Sequence, residues 1–267
     1  MSKVILITGA STGIGRATAE YLTQLGHRVY GTSRKPFTEI VPFQTLLLDV
    51  NDETSIQAAI AQLLQREQRL DVLINNAGLG IIGALEETPD ALIEQVFNTN
   101  VYGLLRMCRA ALPVMRLQGN GLIINVASIA GRMGLPFRGI YSASKAAVEI
   151  LTETLNIELK PFGIRACSIL PGDVRTNINA ARLVAMPSLA SPYRSFVETM
   201  NNIVNDEVSK AEDPLYIAKI IEQAINSSSP KIHYIAGPFL QRFSLWLKRF
   251  LPSRFFEYLL RGNYGLK

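Results

Sequence analysis

Short runs rich in β-branched residues alternate with segments of helical periodicity along this 267-residue chain. The run KVILIT (3–8) predicts a buried strand, and a long helical pattern begins at Pro89 with Thr88 as its predicted N-cap. Strands that alternate with helices pair in parallel, because each connection crosses back over the sheet. The alternation predicts one α/β domain over residues 1–237, a Rossmann-type doubly wound parallel sheet of about seven strands with helices on both faces. Residues 238–267 are predicted to form a C-terminal amphipathic helical extension.

The composition is typical of a globular protein in a reducing compartment. Hydrophobic residues make up 48% of the chain and charged residues 18%, and no segment approaches the ~18 apolar residues in a row that a membrane-spanning helix needs. The two cysteines, Cys108 and Cys167, lie in apolar stretches, so we expect no disulfide framework and a cytoplasmic protein. No His/Cys cluster has metal-ligand spacing, and no metal is predicted.

The excess of positive charge is confined to the end of the chain. The formal net charge is +5, and from Pro238 onward the sequence carries six basic residues against the single acid Glu257. The preceding residues are therefore neutral overall. Nucleic-acid binders more often carry a basic face on the fold itself, so no nucleic-acid partner is predicted.

A glycine-rich stretch, ITGASTGIGRATAEYL (7–22), joins the first predicted strand to the first predicted helix. A pyrophosphate at this turn would meet free backbone N–H groups and the positive end of the helix dipole. Gly9 would allow the sharp turn and Gly13 the approach to phosphate, while Gly15 would let the helix pack on the strand. Ser11 and Thr12 add hydroxyl donors. The alternative is a turn whose glycines serve tight packing only.

Further polar motifs follow the other predicted strands at the same end. These motifs are Asp49, NNAG (75–78), Ser128 and PGDVRT (171–176). Tyr141 begins the helix after Ser128, and Lys145 follows four residues later on the same helix face. The carboxyl ends of parallel strands share one edge of the sheet, where ligands bind. A purely structural role for the glycines does not explain why all these motifs meet there.

Together these motifs resemble the short-chain dehydrogenase/reductase family. T-G-x-x-x-G-x-G, N-N-A-G, S…Y-x-x-x-K and P-G-x-x-x-T occur in the family's order and spacing over residues 3–237, and the overall pattern is most similar to the hydroxysteroid and retinol dehydrogenase branch. The resemblance implies hydride transfer between C4 of a nicotinamide and a carbonyl or alcohol carbon of the substrate.

The resemblance also assigns four catalytic residues. Tyr141 is expected to act as general acid/base, with Lys145 lowering the pKa of its phenol and holding the nicotinamide ribose. Ser128 is expected to hydrogen-bond the substrate oxygen, and Asn100 to hold a water of the proton relay. Two alternatives remain open: Asn100 binds backbone at a helix kink, or Ser128 caps the end of its strand.

The residues that follow the second strand distinguish NAD from NADP, because an acid there binds the adenosine ribose of NAD. In the sequence GTSRK this position is occupied by Ser33. A small hydroxyl followed by Arg34 and Lys35 suits the 2′-phosphate of NADP, which is favoured over NAD; the alternative is a solvated basic turn. By resemblance, Asp49 and Val50 contact the adenine. The other residues expected to bind the cofactor are Gly9, Ser11, Thr12, Gly13, Ile14, Gly15, Asn76, Ala77, Gly78, Pro171, Gly172, Val174 and Thr176.

In this family the segment after P-G-x-x-x-T covers the substrate, and here residues 175–210 are largely apolar without one clean period. We therefore expect a hydrophobic carbonyl or alcohol substrate of steroid, retinoid or lipid type. The alternatives are a 3-oxoacyl-thioester reductase and a catalytically silent, cofactor-binding regulator. The family also implies a homodimer or homotetramer in which helices 89–118 and 141–162 pair between subunits.

The C-terminal segment reads as a basic amphipathic helix. On a helical wheel of 239–251 one arc is apolar (Phe239, Leu240, Phe243, Trp246, Leu247, Phe250, Leu251) and the other is polar except for Leu245. Two interpretations remain open. The helix binds a membrane surface peripherally, as basic helices with Trp and Phe do, or its apolar face packs on the protein itself or a partner subunit and roofs the pocket.

Overall fold

A computed structural model describes residues 2–175 and 182–266. It contains nine strands, β1 to β9 in chain order: Val4–Ile7, Arg28–Ser33, Gln44–Leu47, Val72–Asn75, Ile81–Ile82, Gly121–Val126, Ile164–Pro171, Leu183–Val184 and His233–Ala236. Seven of them form a parallel sheet in the order β3-β2-β1-β4-β6-β7-β9, while β5 and β8 pair separately. The predicted doubly wound sheet is confirmed.

Nine α-helices surround this sheet within the described residues. In chain order, α1 to α9 are Gly13–Gln24, Glu53–Glu67, Asp90–Phe97, Leu104–Gln118, Gly139–Glu158, Arg194–Ser209, Pro214–Asn226, Phe239–Phe250 and Ser253–Asn263. Successive residues of a strand point to opposite faces, so Leu6 packs with α2, α4 and α5 whereas Ile5 and Ile7 pack with α1 and α7. Burial on both faces explains why β1 reads as an unbroken apolar run. Both cysteines are buried and unpaired.

The long helix predicted from Pro89 is interrupted. It consists of α3, a π-helical segment over Asn98–Gly103, and α4. Pro89 is the N-cap rather than the first helical residue, and the predicted Thr88 cap is wrong, because its hydroxyl donates to the carbonyl of Ala84 at 2.6 Å. By contrast, helix α2 has a side-chain cap, since the Asp52 carboxylate accepts a hydrogen bond from the Thr54 amide at 2.9 Å.

Apolar side chains form one cluster on each face of the sheet, and a third apolar cluster lies beyond its carboxyl edge. It joins α6 to the loop after β6 and to the C-terminal helices α8 and α9. The sequence analysis missed α6, although its buried residues Val197, Met200, Val204 and Val208 recur at helical spacing. The C-terminal segment is helical as predicted, and it covers this edge of the sheet.

Replacing Gly15 with Ala tests the contact between α1 and the end of β1. A Cβ at Gly15 would lie 2.3 Å from the Gly9 carbonyl oxygen and 2.4 Å from Asn76 Nδ2. We expect Gly15→Ala to lower the free energy of unfolding by roughly 1–3 kcal/mol, the usual cost of overpacking, measured by urea denaturation. The matched control is Gly134→Ala, where no atom lies within 4 Å of the new methyl group. Equal stabilities for the two variants would contradict this packing.

Candidate active site

One large cavity lies at the carboxyl edge of the sheet, between the strand ends, α6 and the C-terminal helices. Its volume is about 1070 Å³. All but three of the predicted site residues line it: Gly9, Ser11, Thr12, Gly13, Ile14, Ser33, Arg34, Asp49, Val50, Asn76, Ala77, Gly78, Ser128, Tyr141, Lys145, Pro171, Gly172 and Val174. The motifs are thus brought together as the sheet topology predicts.

The three exceptions differ from one another. Gly15 packs behind the first turn instead of lining the cavity, which agrees with its predicted packing role. Asn100 lies buried beside the cavity and does not line it. Thr176 lies outside the described residues.

The glycine turn is shaped to accept a phosphate group. Gly9 and Gly13 have φ values of +68° and +58°, a left-handed conformation that favours glycine. Helix α1 follows at once; its N-cap Thr12 makes no side-chain capping bond, and its first turn holds no acid. Its first amides are therefore available at the positive end of the dipole. The arrangement fits the pyrophosphate of a dinucleotide.

The end of β4 fixes this turn in place. The Asn76 side-chain amide donates to the carbonyls of Thr8 and Gly9 at 2.9 and 3.0 Å, and the backbone amides of Asn76 and Ala77 donate to the Thr8 hydroxyl. A Cβ at Gly9 would lie only 3.0 Å from Ala77 Cα. The middle of the NNAG motif thus holds the glycine turn in position.

The end of the cavity beside the carboxyl end of β2 is basic. Ser33, Arg34 and Lys35 line it, and both cations are exposed to solvent. Neither cation forms an ion pair with a carboxylate of residues 2–175 or 182–266. Asp49, on the neighbouring strand end, accepts a hydrogen bond from the Asn51 amide at 2.9 Å. The charges of Arg34 and Lys35 are therefore available to an anionic ligand.

At the other end, Tyr141 lies in the first turn of α5 and Lys145 one turn later. The Ser128 side chain interacts with the Tyr141 phenol and lowers its pKa. Lys145 Nζ donates to the Val126 carbonyl at 2.8 Å and lies 5.9 Å from the centre of the Tyr141 ring. Ser128 also accepts from the Ala130 amide at 3.1 Å, so it caps a turn, as one interpretation proposed, while still lining the cavity.

Burial and the charge of Arg138 shift the pKa of Tyr141 in opposite directions. Burial raises the pKa of the Tyr141 phenol above its usual value of 10.0, whereas the Arg138 charge and the Ser128 hydrogen bond lower it. The Arg138 guanidinium carbon lies 5.5 Å from the ring centre. Burial lowers the pKa of Lys145 to about 8. The predicted role of lowering the tyrosine pKa falls to Arg138 in the structure, and the same role of Lys145 stays a prediction.

Asn100 occupies the π-helical segment and is only 2% exposed. Its Nδ2 donates to the Leu79 carbonyl and to the Ser144 hydroxyl, both at 3.0 Å, and its Oδ1 accepts from the Leu79 amide at 2.7 Å. These bonds agree with the interpretation that it binds backbone at a helix irregularity. Asn100 Oδ1 and Lys145 Nζ both lie close to Gly78, because a Cβ added there would be within 3.4 Å of each. The role of Asn100 in holding a water of the proton relay stays a prediction.

The substrate end of the cavity is more charged than the sequence analysis predicted. Its lining combines apolar side chains with Arg138, Asp173, Arg182 and Glu207. Burial raises the pKa of Glu207 and lowers that of Arg182 to about 10. Sequence reasoning missed this cluster because Arg182 and Glu207 lie outside every motif. Asp173 lies within the PGDVRT motif and Arg138 only three residues before Tyr141, but neither was assigned a role there.

Comparison with known proteins places this site in a family. A family model of the short chain dehydrogenases matches residues 3–185. A 3-ketodihydrosphingosine reductase of Bacteroides thetaiotaomicron is 39% identical over 267 residues, covering 99% of each chain. The 17-beta-hydroxysteroid dehydrogenase type 1 of Homo sapiens is 32% identical over 270 residues, covering 93% of this chain and 79% of its own.

The fold agrees with this placement. The crystal structure of a short chain dehydrogenase/reductase from Burkholderia phymatum in complex with NAD superposes with a TM-score of 0.81 at 28% identity, covering 93% of each chain. The chain therefore belongs to the short-chain dehydrogenase/reductase family of nicotinamide-dependent oxidoreductases, as its motifs predicted.

Proposed function

We propose that the protein is an NADPH-dependent reductase of a lipid-like ketone, with 3-ketodihydrosphingosine as the first candidate substrate. The observation that carries the proposal is the continuity of the cavity. The space around Tyr141 and Ser128 extends between α6 and the C-terminal helices, where its lining is mainly apolar. The charged cluster close to Tyr141 suits the polar end of such a substrate, and the apolar lining suits its chain. The Bacteroides thetaiotaomicron relative supports the choice of candidate.

The chemistry follows from the positions of the side chains. The reduced nicotinamide, when bound, supplies the hydride. Ser128 holds the substrate oxygen by a hydrogen bond, which polarises the carbonyl. Tyr141 donates its phenolic proton to the oxygen as negative charge develops, and the charges of Arg138 and Lys145 stabilise the phenolate that remains. Lys145 is also positioned to hold the nicotinamide ribose.

NADPH is favoured over NADH because of the basic end of the cavity. Arg34 and Lys35 are free of ion pairs with described carboxylates, and a guanidinium binds phosphate in a forked geometry. Ser33 leaves space where an acid would repel the 2′-phosphate. We also expect a homo-oligomer and a cytoplasmic location, which rest on the family resemblance and on the unpaired cysteines.

The first test is NADPH oxidation with 3-ketodihydrosphingosine, a steroid ketone and acetoacetyl thioesters side by side. We expect turnover of the long-chain ketone, reduced roughly 10²–10⁴-fold in kcat by Tyr141→Phe, because the proton donor is lost. Tyr216→Phe, a solvent-exposed tyrosine outside the cavity, is the matched control and should leave kcat unchanged. Turnover of thioesters alone would favour the 3-oxoacyl-thioester reductase. Cofactor binding without turnover of any ketone would favour the silent regulator.

Coenzyme choice is tested by Arg34→Gln. Losing a charge-assisted bond of roughly 1.5–3 kcal/mol should raise the KM for NADPH about tenfold or more while leaving the KM for NADH unchanged. The exposed Lys219→Gln serves as the control for charge alone. A parallel rise in both KM values would show that Arg34 does not read the 2′-phosphate.

The pH dependence tests the electrostatics around Tyr141. Reduction requires the protonated phenol, so kcat/KM falls as the pH rises through its pKa. Because the Arg138 charge lowers the pKa of Tyr141, Arg138→Gln should move the alkaline limb of kcat/KM to higher pH. Arg138→Lys keeps the charge and should restore the limb towards its original position. A limb that stays in place in Arg138→Gln, or moves to lower pH, would contradict this role.

A further inference from the structure

The outer face of the C-terminal helices carries a continuous row of aromatic side chains. We call this row the aromatic ridge: Phe239, Phe243, Trp246 and Phe250 of α8. Neighbouring rings along the ridge have centroids 5.8, 5.6 and 4.8 Å apart. The four side chains are 39–76% exposed. On α9, Phe255 and Tyr258 form a second exposed pair with centroids 6.5 Å apart.

This ridge is separate from the face that packs on the protein. Leu245, Leu247 and Leu251 of the same segment already pack in the third apolar cluster, and α9 contributes Phe256 and Leu260. The helices are therefore held in place without the ridge. The inner face thus agrees with the interpretation that the segment packs on the protein itself, and the ridge is left facing solvent. A contiguous apolar patch on a surface is typical of an interaction site.

Cations border the ridge. Arg242 and Arg249 are both exposed. They lie to one side of the ridge, rotated from it by roughly 70–90° about the axis of α8. Helix α9 adds the exposed Arg254 and Arg261, while Glu257 is the only acid from Pro238 onward. Aromatic rings beside a row of basic side chains are the combination that inserts into the head-group region of a bilayer. No helix among the described residues is long and apolar enough to cross a membrane.

We propose that this outer face of α8 and α9 binds the surface of an anionic lipid bilayer. A second copy of the chain is a poorer occupant, since a two-fold contact through this face would bring two sets of arginines together. Anionic head groups instead neutralise them, at up to about fivefold in affinity for each basic residue.

The position of the cavity agrees with a lipid surface. Leu240 and Leu259 are exposed at the edge of the outer face, and both also line the cavity. The cavity therefore opens beside the surface that would contact lipid. This last point rests on the proposed function, because it connects the bilayer with a lipid-like substrate; the binding surface itself does not depend on it.

The chain contains a single tryptophan, Trp246, which reports on this surface directly. Its emission is measured on adding vesicles of phosphatidylcholine alone or mixed with phosphatidylglycerol, at low and high salt. We expect a blue shift with the anionic vesicles, quenching by brominated lipid chains, and a weaker response at high salt. No shift with anionic vesicles would overturn the proposal. A blue shift that grows with protein concentration in the absence of lipid would instead identify a second copy as the occupant.

Two double variants keep the fluorophore and separate the two contributions. Phe243→Ser/Phe250→Ser should abolish quenching by brominated chains, and Arg242→Gln/Arg249→Gln should weaken binding to anionic vesicles by at least about fivefold. The matched controls are Ile40→Ser/Leu117→Ser, at two side chains almost fully exposed elsewhere, and Lys219→Gln/Lys231→Gln; both control variants should bind like the unchanged protein. Equal binding by the ridge variant and its control would overturn the proposal.

Reductase activity on a short ketone dispersed in water is measured in parallel with every variant. It should not change, because none of the substituted side chains lines the cavity. Vesicle binding without activity would count against the proposed function alone. Activity without vesicle binding would count against the lipid-binding surface alone.

Discussion

The site depends on the contact between the turn after β1 and the end of β4. These strands are neighbours, and the chain reverses its direction of winding between them, so their loops part and leave a crevice. The Asn76 amide closes the base of that crevice by bonding to the carbonyls of Thr8 and Gly9, while Gly15 lets α1 approach the same atoms. Any side chain at Gly15 would displace the turn that carries the phosphate-binding amides. The glycines are therefore required for packing, and this role is compatible with their predicted role in binding a cofactor.

A second constraint is the cost of burying Tyr141, the proposed acid/base group. Burial raises the pKa of its phenol and so disfavours the phenolate. Arg138 and the Ser128 hydroxyl lower that cost from two sides, and Lys145 lies one turn below the ring. Burial also lowers the pKa of Lys145 to about 8, so its ammonium form still predominates at neutral pH. The tyrosine and the lysine are thus tuned by the same cavity.

The sequence predicted the features whose signal is local. Buried strands such as Val72–Asn75 read as apolar runs, and the motifs at their ends could be assigned to one edge because parallel topology leaves no other choice. The π-helical segment around Asn100 could not be predicted, since it is stabilised by bonds to Leu79, twenty-one residues away. Glu207 reaches the cavity through the packing of α6, whose helical spacing was hidden by the Asn and Ser residues around it. Arg182 lies just before β8 and donates a hydrogen bond to Asn205 of α6 at 3.1 Å. Local periodicity does not report such tertiary contacts.

The C-terminal segment shows what a helical wheel can and cannot separate. Its apolar arc combined aliphatic and aromatic residues, and hydrophobicity alone gave no reason to distinguish them. In the structure Leu245, Leu247 and Leu251 pack in one cluster with Val204 and Val208 of α6, whereas the rings of the aromatic ridge lie against one another along the outside. Flat, polarisable rings tolerate the boundary between water and a lipid interface better than branched aliphatic chains do, so this division is the one expected of a helix that roofs a cavity and also faces a membrane. The same two helices would then hold the substrate's apolar chain on one side and contact its source on the other.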